Sequence, residues 1–182
     1  KYAQIIKDQN QRLNNQVEKV LNVARLEKDS FELKKEVLEI NQTISETISN
    51  ESLKLKQGNI KFTPSLKNIY ILADKLHFVN VVANIIDNGV KYSNGDPVIE
   101  IFLNDGIKDV LLHIRDHGIG IEKENHKKLF DKFYRVSTGD VHDVKGFGLG
   151  LFYVNNICNE HGWQIQVQSE PGRGSEFTII IP

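Results

Sequence analysis

The residues whose types and spacing could do chemistry fall into four clusters. Asn80, Asn84, Asn88 and Lys91 follow at spacings of four, four and three, which aligns them on one helix face. Asn is a mediocre helix former, so three on one face ask for a reason. One reading is a solvated face. The other is the polar wall of a ligand site. There Asn supplies a neutral oxygen ligand for Mg²⁺ once phosphates bring the negative charge, and Lys91 supplies the cation for those phosphates. Gly89 inside the same stretch costs about 1 kcal/mol relative to Ala. It marks either a close approach or drift.

Asp116-His117-Gly118-Ile119-Gly120-Ile121 follows an apolar strand. A buried carboxylate there can accept from an exocyclic amine, as in recognition of adenine, and the glycines let backbone approach a planar ligand. The alternative is an ordinary turn, because Asp and Gly are common turn residues. Gly146-Phe147-Gly148-Leu149-Gly150-Leu151 opens a helix. Unpaired N–H groups and the positive dipole end at that point suit phosphate. The G-x-G-x-G spacing is neither a Rossmann fingerprint nor a P-loop. Between the glycine clusters lies Phe130-Asp131-Lys132-Phe133-Tyr134-Arg135. Its aromatics can anchor a mobile segment and Arg135 can reach a terminal phosphate, or it is a surface helix end. The polar stretch 136–145 reads as a lid.

Positioning these clusters takes strands at Asn59–Phe62, Tyr70–Leu72, Val98–Leu103, Val110–Arg115, Gln164–Ser169 and Glu176–Ile181. It also takes helices from Asp74 to Tyr92 and from Gly150 to His161, with a shorter one over Glu122–Leu129. Asp74 is the expected N-cap of the first and Gly162 the C-terminal glycine of the second. Leu76, Val79, Val82, Ala83, Ile86 and Val90 are expected to face the sheet. The fold class is α+β, a two-layer sandwich of a mixed sheet covered by helices, preceded by a helical dimerisation segment. Residues 1–57 hold no Pro or Gly. Ala3, Ile6, Leu13, Val17, Val20 and Ala24 form a heptad-like stripe that asks for partner helices, with Asn10 interrupting it. A second helical stripe runs through Val37, Ile40, Ile44, Ile48 and Leu55. Gly58-Asn59 then marks a boundary, giving domains 1–57 and 58–182.

Composition excludes several classes. With 23 Lys+Arg against 24 Asp+Glu, the formal charge of −1 implies no bulk attraction to nucleic acid or anionic membrane. No run of about 18 apolar residues is present. The lone Cys158 rules out an internal disulfide and a Cys-rich zinc site, and reads as core. The six His residues lack metal spacing. With no Met and Lys1 first, the chain reads as a piece of a longer protein.

Taken in order, the four clusters resemble the catalytic, ATP-binding domain of sensor histidine kinases, within a superfamily that includes gyrase B-type, mismatch-repair and heat-shock chaperone ATPases. Asn84 to Ser93 looks like the N box and Asp116 to Gly120 the first glycine box. Phe130 to Arg135 looks like the F box and Gly146 to Leu151 the second glycine box. Glu170-Pro-Gly-Arg-Gly-Ser-Glu-Phe resembles the last hairpin. The match covers about 59–182.

The resemblance implies that Asn88 ligates Mg²⁺ with Asn84 beside it, Lys91 contacts phosphate and Tyr92 packs against adenine. It implies that Asp116 binds the adenine amine with Gly118, Gly120 and Ile121 around it, and that Arg135 approaches the γ-phosphate. Gly146, Gly148, Leu149 and Gly150, with Phe133, complete the nucleotide contacts and lid hinge. Asn84, Lys91 and Arg135 form the catalytic set. Residues 1–57 are similar to the later part of the dimerisation and phosphotransfer region. None of the six His residues has the family's acceptor context, so this piece is expected to bind ATP without phosphorylating itself. The implied partners of the parent are a response-regulator receiver domain and a second copy joined through the helical bundle. The implied location is the cytoplasm, beneath a parent anchored in the inner membrane. The rivals are a nucleotide-sensing module without transfer activity, against which Lys91 and Arg135 weigh, and a clamp or chaperone ATPase. Relatives of the clamp class carry a catalytic Glu where Asn84 stands, and Asn cannot act as a general base.

Overall fold

Period-two alternation of apolar residues sets most of the sheet, because one strand face must be buried and the other wet. The structure, a computed structural model, describes residues 31–64, 68–105, 108–136 and 147–182. Of the first thirty residues it describes Tyr2, Ala3, Ile6, Asn10, Leu13, Asn14, Val17, Val20, Leu21 and Ala24. The elements run β1 (Glu36–Glu39), α1 (Ile40–Ser52), β2 (Asn59–Thr63), β3 (Tyr70–Ala73), α2 (Lys75–Lys91), β4 (Val98–Asp105) and β5 (Val110–Asp116). A 3₁₀ turn (Lys123–Lys128), α3 (Gly150–His161), β6 (Gln164–Glu170) and β7 (Gly174–Ile181) follow. Five strands form one mixed sheet in the order β2-β4-β5-β7-β6, and β1 pairs with β3 in a separate ribbon. Only β2–β4 is parallel in the large sheet.

Ile99, Ile101, Leu103, Leu112, Ile114, Phe177, Ile179 and Ile181 are buried, while their strand neighbours Glu100, Phe102, His113 and Glu176 are not. Packed with the sheet are Ile40 and Ile44 of α1, Phe78, Val82 and Ile86 of α2, and Val154 and Ile157 of α3, all at most 1% exposed. The result is the expected two-layer α+β sandwich. Cys158 is fully buried in α3, and burial pushes its thiol up to about 12. That suits packing and not reactivity.

Three expectations are corrected. The chain divides into compact units at Lys1–Glu32 and Leu33–Pro182, not at 57/58. Residues 33–57 belong with the sheet because β1 pairs with β3 and α1 buries Ile40, Thr43, Ile44 and Thr47. Val37 is a strand residue, 70% exposed and opposite Leu72, so the stripe drawn through it was not one helix. In α2 the phase differs from the one expected. Leu76 is 65% exposed, and the buried face is Phe78, Val81, Val82, Ile85, Ile86 and Gly89. Both phases place apolar residues at helical spacing. Burial of the large Phe78 against Trp163 (6.0 Å between ring centroids, edge-on) goes with the second.

In the first unit, every described residue of the expected stripe is helical. Ile6, Leu13, Val17 and Val20 are exposed.

Asp74 caps α2 as expected, accepting from His77 N–H at 3.2 Å, and also accepts from Lys34 N–H at 2.8 Å. Burial pushes its carboxyl up. The Lys34 and His77 N–H groups, with the nearby His77 and His161 rings, outweigh this and hold it below the usual range. His161 joins both ends of this corner. Its Nε2 accepts from Asp74 N–H at 3.0 Å and its Nδ1 donates to the Ile157 carbonyl at 2.8 Å. Only the neutral ring satisfies both bonds. Burial holds His161 and His77 below the ordinary histidine value. A lowered folded-state value means stability that is complete above the unfolded value of about 6.5 and is lost as pH falls through the folded values. Urea midpoints should therefore drop between about pH 7 and pH 5, and His161→Gln should flatten that slope. An equal slope in the variant would remove His161 from the account.

Candidate functional site

The site is organised by one turn of α2. Asn84 turns its amide nitrogen back to the Asn80 carbonyl at 2.8 Å, which directs its Oδ1 outward. That oxygen faces the start of α3. A Cβ built on Gly150 would lie 3.3 Å from Asn84 Oδ1 and 4.0 Å from the Asn88 amide. Gly150 is therefore the residue that lets the α3 N-terminus stand against both asparagines. Leu149, the buried N-cap, provides no side-chain cap hydrogen bond. Among the described residues no side chain caps the first-turn N–H groups of α3, an arrangement that suits an anion. The Asn88 amide carries no hydrogen bond among the described residues. The two amide oxygens are neutral hard donors, and they fit a divalent cation whose charge is balanced by phosphate.

One residue further along the same turn, Gly89 faces Asp116. Asp116 ends β5 with 8% exposure. Its Oδ1 accepts from Gly118 N–H at 2.8 Å and Ser175 N–H at 3.2 Å. Its Oδ2 has no partner among the described residues, so it remains an acceptor for a ligand donor. Burial raises its carboxyl above the usual range against the pull of those two N–H bonds. Gly89 lies over it: a Cβ there would be 3.1 Å from Asp116 Cβ. The sequence left Gly89 open between close approach and drift, and the structure gives close approach.

The loop after Asp116 is fixed from two sides. Ile119 N–H donates to the Tyr92 carbonyl at 3.0 Å, and Gly172 N–H donates to the Ile119 carbonyl at 2.7 Å. Ile121 N–H reaches Ser169 Oγ at 2.8 Å. Gly118 and Gly120 are required here by the chain's own backbone. Their Cβ atoms would fall 2.4 Å from the Tyr92 carbonyl oxygen and 2.0 Å from the Glu170 carbonyl oxygen. Sequence reasoning assigned that closeness to a planar ligand.

The F box and second glycine box meet directly. Phe133 N–H donates to the Gly148 carbonyl at 3.1 Å, and Tyr134 Oη donates to Asn125 Oδ1 at 2.7 Å. Phe133 has φ 64, a rare conformation for a bulky residue, and is 61% exposed.

Asn84, Asn88 and Gly150 thus come together, as do Tyr92, Asp116, Gly118, Gly120 and Ile121, and as do Phe133, Gly148 and Leu149. Lys91 is turned to Asp87 at 2.5 Å, so it meets a phosphate only by sharing or leaving that carboxylate. Arg135 is exposed near the end of the described stretch 108–136. Gly146 and most of the expected lid lie outside the described residues.

Asn80, placed by sequence in the polar wall, donates to Tyr153 Oη at 3.4 Å and ties α2 to α3. Sequence reasoning missed Ser169, Gly174 and Ser175. Ser169 Oγ holds Ile121 N–H and the Gly174 carbonyl, and Ser175 holds Asp116. Gly174 and Ser175 lay in the stretch Glu170 to Phe177, which the sequence offered only as the last hairpin. Among the described residues no His, Cys, Asp and Glu cluster could hold a metal, and no helix is long and apolar enough to cross a membrane.

Comparison with known proteins places the fold and the family. Sensor protein RprX of Bacteroides fragilis is 43% identical over 182 residues, which is 98% of this chain and 35% of that protein. Sensor protein SrrB of Staphylococcus aureus is 33% identical over 98% of this chain and 31% of its own length. The chain thus spans about a third of these relatives. Among solved structures, full-length ShkA in complex with AMPPNP superposes with a TM-score of 0.85 at 24% identity, over 100% of this chain and 38% of that one. The catalytic domain of histidine kinase ThkA superposes with a TM-score of 0.70, over 82% of this chain and 96% of that one. These likenesses establish the fold. A family profile described as histidine kinase-, DNA gyrase B- and HSP90-like ATPase matches residues 73–182, the span that runs from the start of α2 through β7. Residues 1–182 therefore contain a member of the histidine kinase-, DNA gyrase B- and HSP90-like ATPase family, and the chain belongs to it.

Proposed function

We propose that this chain binds Mg²⁺-ATP and serves as the catalytic part of a sensor histidine kinase. The observation that carries the reading is the α2 turn from Asn84 to Gly89. It lies over Asp116, whose Oδ2 has no partner among the described residues, on one side, and faces the N-terminus of α3, which no described side chain caps, on the other. Adenine fits the first, through its amine, and the phosphates fit the second. Asn88, with Asn84 beside it, would hold Mg²⁺, which when bound neutralises phosphate charge. Lys91 and Arg135 supply positive charge toward the β- and γ-phosphates, and Phe133 and Gly148 hinge the lid. Both sensor-protein relatives support the kinase reading over the clamp reading.

In the whole protein, an imidazole nitrogen outside this set of six His attacks the γ-phosphorus. The bond to the β–γ bridging oxygen breaks, and ADP leaves with that electron pair. Asp116 and Gly118 hold the base while the α3 N–H groups and Arg135 stabilise charge on the transferring group. The phosphoryl group then passes to an aspartate of a response-regulator receiver domain. The exposed apolar residues of the first unit, Ile6, Leu13, Val17 and Val20, support a dimeric helical bundle in the parent. We place this part of the parent in the cytoplasm, beneath a membrane-anchored sensor.

Calorimetric titration with a non-hydrolysable ATP analogue, with and without Mg²⁺, tests the site. Asn88→Ala should remove the Mg²⁺-dependent gain, about tenfold or more, while Mg²⁺-free affinity stays within about twofold. Absence of nucleotide binding by the folded, unaltered chain would overturn the reading.

A further inference from the structure

Tyr153 closes the first turn of α3. Its N–H makes the helix's first hydrogen bond, to the carbonyl of the N-cap residue Leu149 at 2.9 Å. Its side chain is buried and crosses to α2, where the hydroxyl meets His77 Nδ1 at 2.7 Å and the Asn80 amide nitrogen at 3.4 Å. Asn80 donates to the hydroxyl oxygen, so the hydroxyl's own hydrogen goes to His77, whose Nδ1 accepts when the ring is neutral. Burial holds that ring below the ordinary histidine value against the pull of Asp74. One turn further along α2, the Asn84 amide donates to the Asn80 carbonyl at 2.8 Å, and Asn84 Oδ1 faces Gly150. The start of α3 thus touches α2 at Gly150 and again at Tyr153, and Asn80 and Asn84 join the two contacts. The other buried residues of α3, Val154, Ile157 and Cys158, lie beyond Tyr153 toward the C-terminus.

We infer that Tyr153 and His77 are positioning residues for the phosphates: their hydrogen bond fixes the first turn of α3 against the asparagines of α2. This rests on the reading of that turn as the phosphate site. Its N–H groups aim at a phosphate beside Asn84 and Asn88 only while the turn keeps one place. Hydrogen bonds weaken steeply when misdirected, and a loosened turn must be ordered again as ligand binds. Leu149 gives the turn no side-chain cap, and among the described residues the Tyr153 hydroxyl supplies its polar tie to α2. Asp116 packs at the opposite end of α2, against Gly89, and its contact with a base does not depend on this hydroxyl.

The test compares Mg²⁺-ATP with adenosine, which lacks the phosphates, by calorimetry on the unaltered chain, Tyr153→Phe, His77→Phe and the double variant. Phenylalanine keeps a ring at each position and removes the hydrogen bond. Tyr153→Phe should lower Mg²⁺-ATP affinity about fivefold and adenosine affinity less than about twofold. His77→Phe should do the same. The double variant should lose no more than the larger single loss, because one hydrogen bond can be removed only once. Circular dichroism checks folding, and Tyr153→Phe, which deletes a single oxygen, decides alone if His77→Phe does not fold. An equal loss for both ligands, the mark of general loosening, overturns the inference, as does an unchanged Tyr153→Phe or a pair of losses that multiply in the double variant. An unaltered chain that binds Mg²⁺-ATP no tighter than adenosine would instead remove the phosphate reading of the α3 N-terminus, and the inference with it.

Discussion

Asp116→Asn will weaken ATP binding by about 10- to 150-fold, the loss of one hydrogen bond to a charged group worth about 1.5–3 kcal/mol. The amide keeps an oxygen for the Gly118 and Ser175 N–H groups, so the loop stays tied. At the Oδ2 position it presents N–H where an amine must donate. Burial raises the Asp116 carboxyl above the usual range in the nucleotide-free chain, and that fixes two signs. Binding of the amine needs the ionised form, so ATP affinity falls as pH falls through the raised value, and the asparagine variant loses this dependence. A folded-state value above the unfolded one also means that ionisation opposes folding. Stability from this group is greatest at low pH and declines as pH rises from the unfolded to the folded value. The variant lacks that decline and should unfold in urea within about 1 kcal/mol of the parent at neutral pH. Calorimetry across pH with paired urea melts checks both. Undiminished affinity would assign adenine to other groups.

Gly120→Ala will destabilise the sheet-bearing unit by about 2–4 kcal/mol and abolish measurable nucleotide binding. Gly120 has φ 69, and a Cβ would lie 2.0 Å from the Glu170 carbonyl oxygen and 2.6 Å from its carbon. Both are backbone atoms in the last hairpin, which no side-chain rotation can relieve. The loop must move away, losing the Gly172–Ile119 and Ile121–Ser169 hydrogen bonds that hold it. Gly172→Ala, where nothing lies within 4 Å of the added atom, is the control for left-handed strain alone. It should cost no more than about 1–2 kcal/mol. Equal effects in the two variants would show that contact with Glu170 is not what matters.

Much of this molecule was legible in its residues. The strands after Gly58, the Asp74 cap and the Gly162 turn depend on local rules: alternation, a side-chain acceptor for an N–H, and a left-handed position at φ 78. The four motifs stood out as well, because nucleotide-binding chemistry uses few residue types at fixed spacing, and the family match spans them. The phase of α2 was not legible. Leu76 and Phe78 each belong to an apolar stripe, and only packing against Trp163 separates them. Strand β1 was hidden because Glu36-Val37-Leu38-Glu39 carries almost no pattern until β3 lies beside it.

The sequence by itself determined that a mixed sheet under helices would form, and it proposed which residues face adenine, cation and phosphate. The tertiary structure alone decided how they meet. It placed Gly150 against Asn84 and Asn88, Gly89 over Asp116, and Ser175 beneath the carboxylate, across separations of dozens of residues. It also moved the edge of the folded unit from 58 to 33. The reason is the same in each case. Spacing along a chain fixes contacts within one helix or strand, whereas a close approach between elements depends on the volume each residue leaves empty.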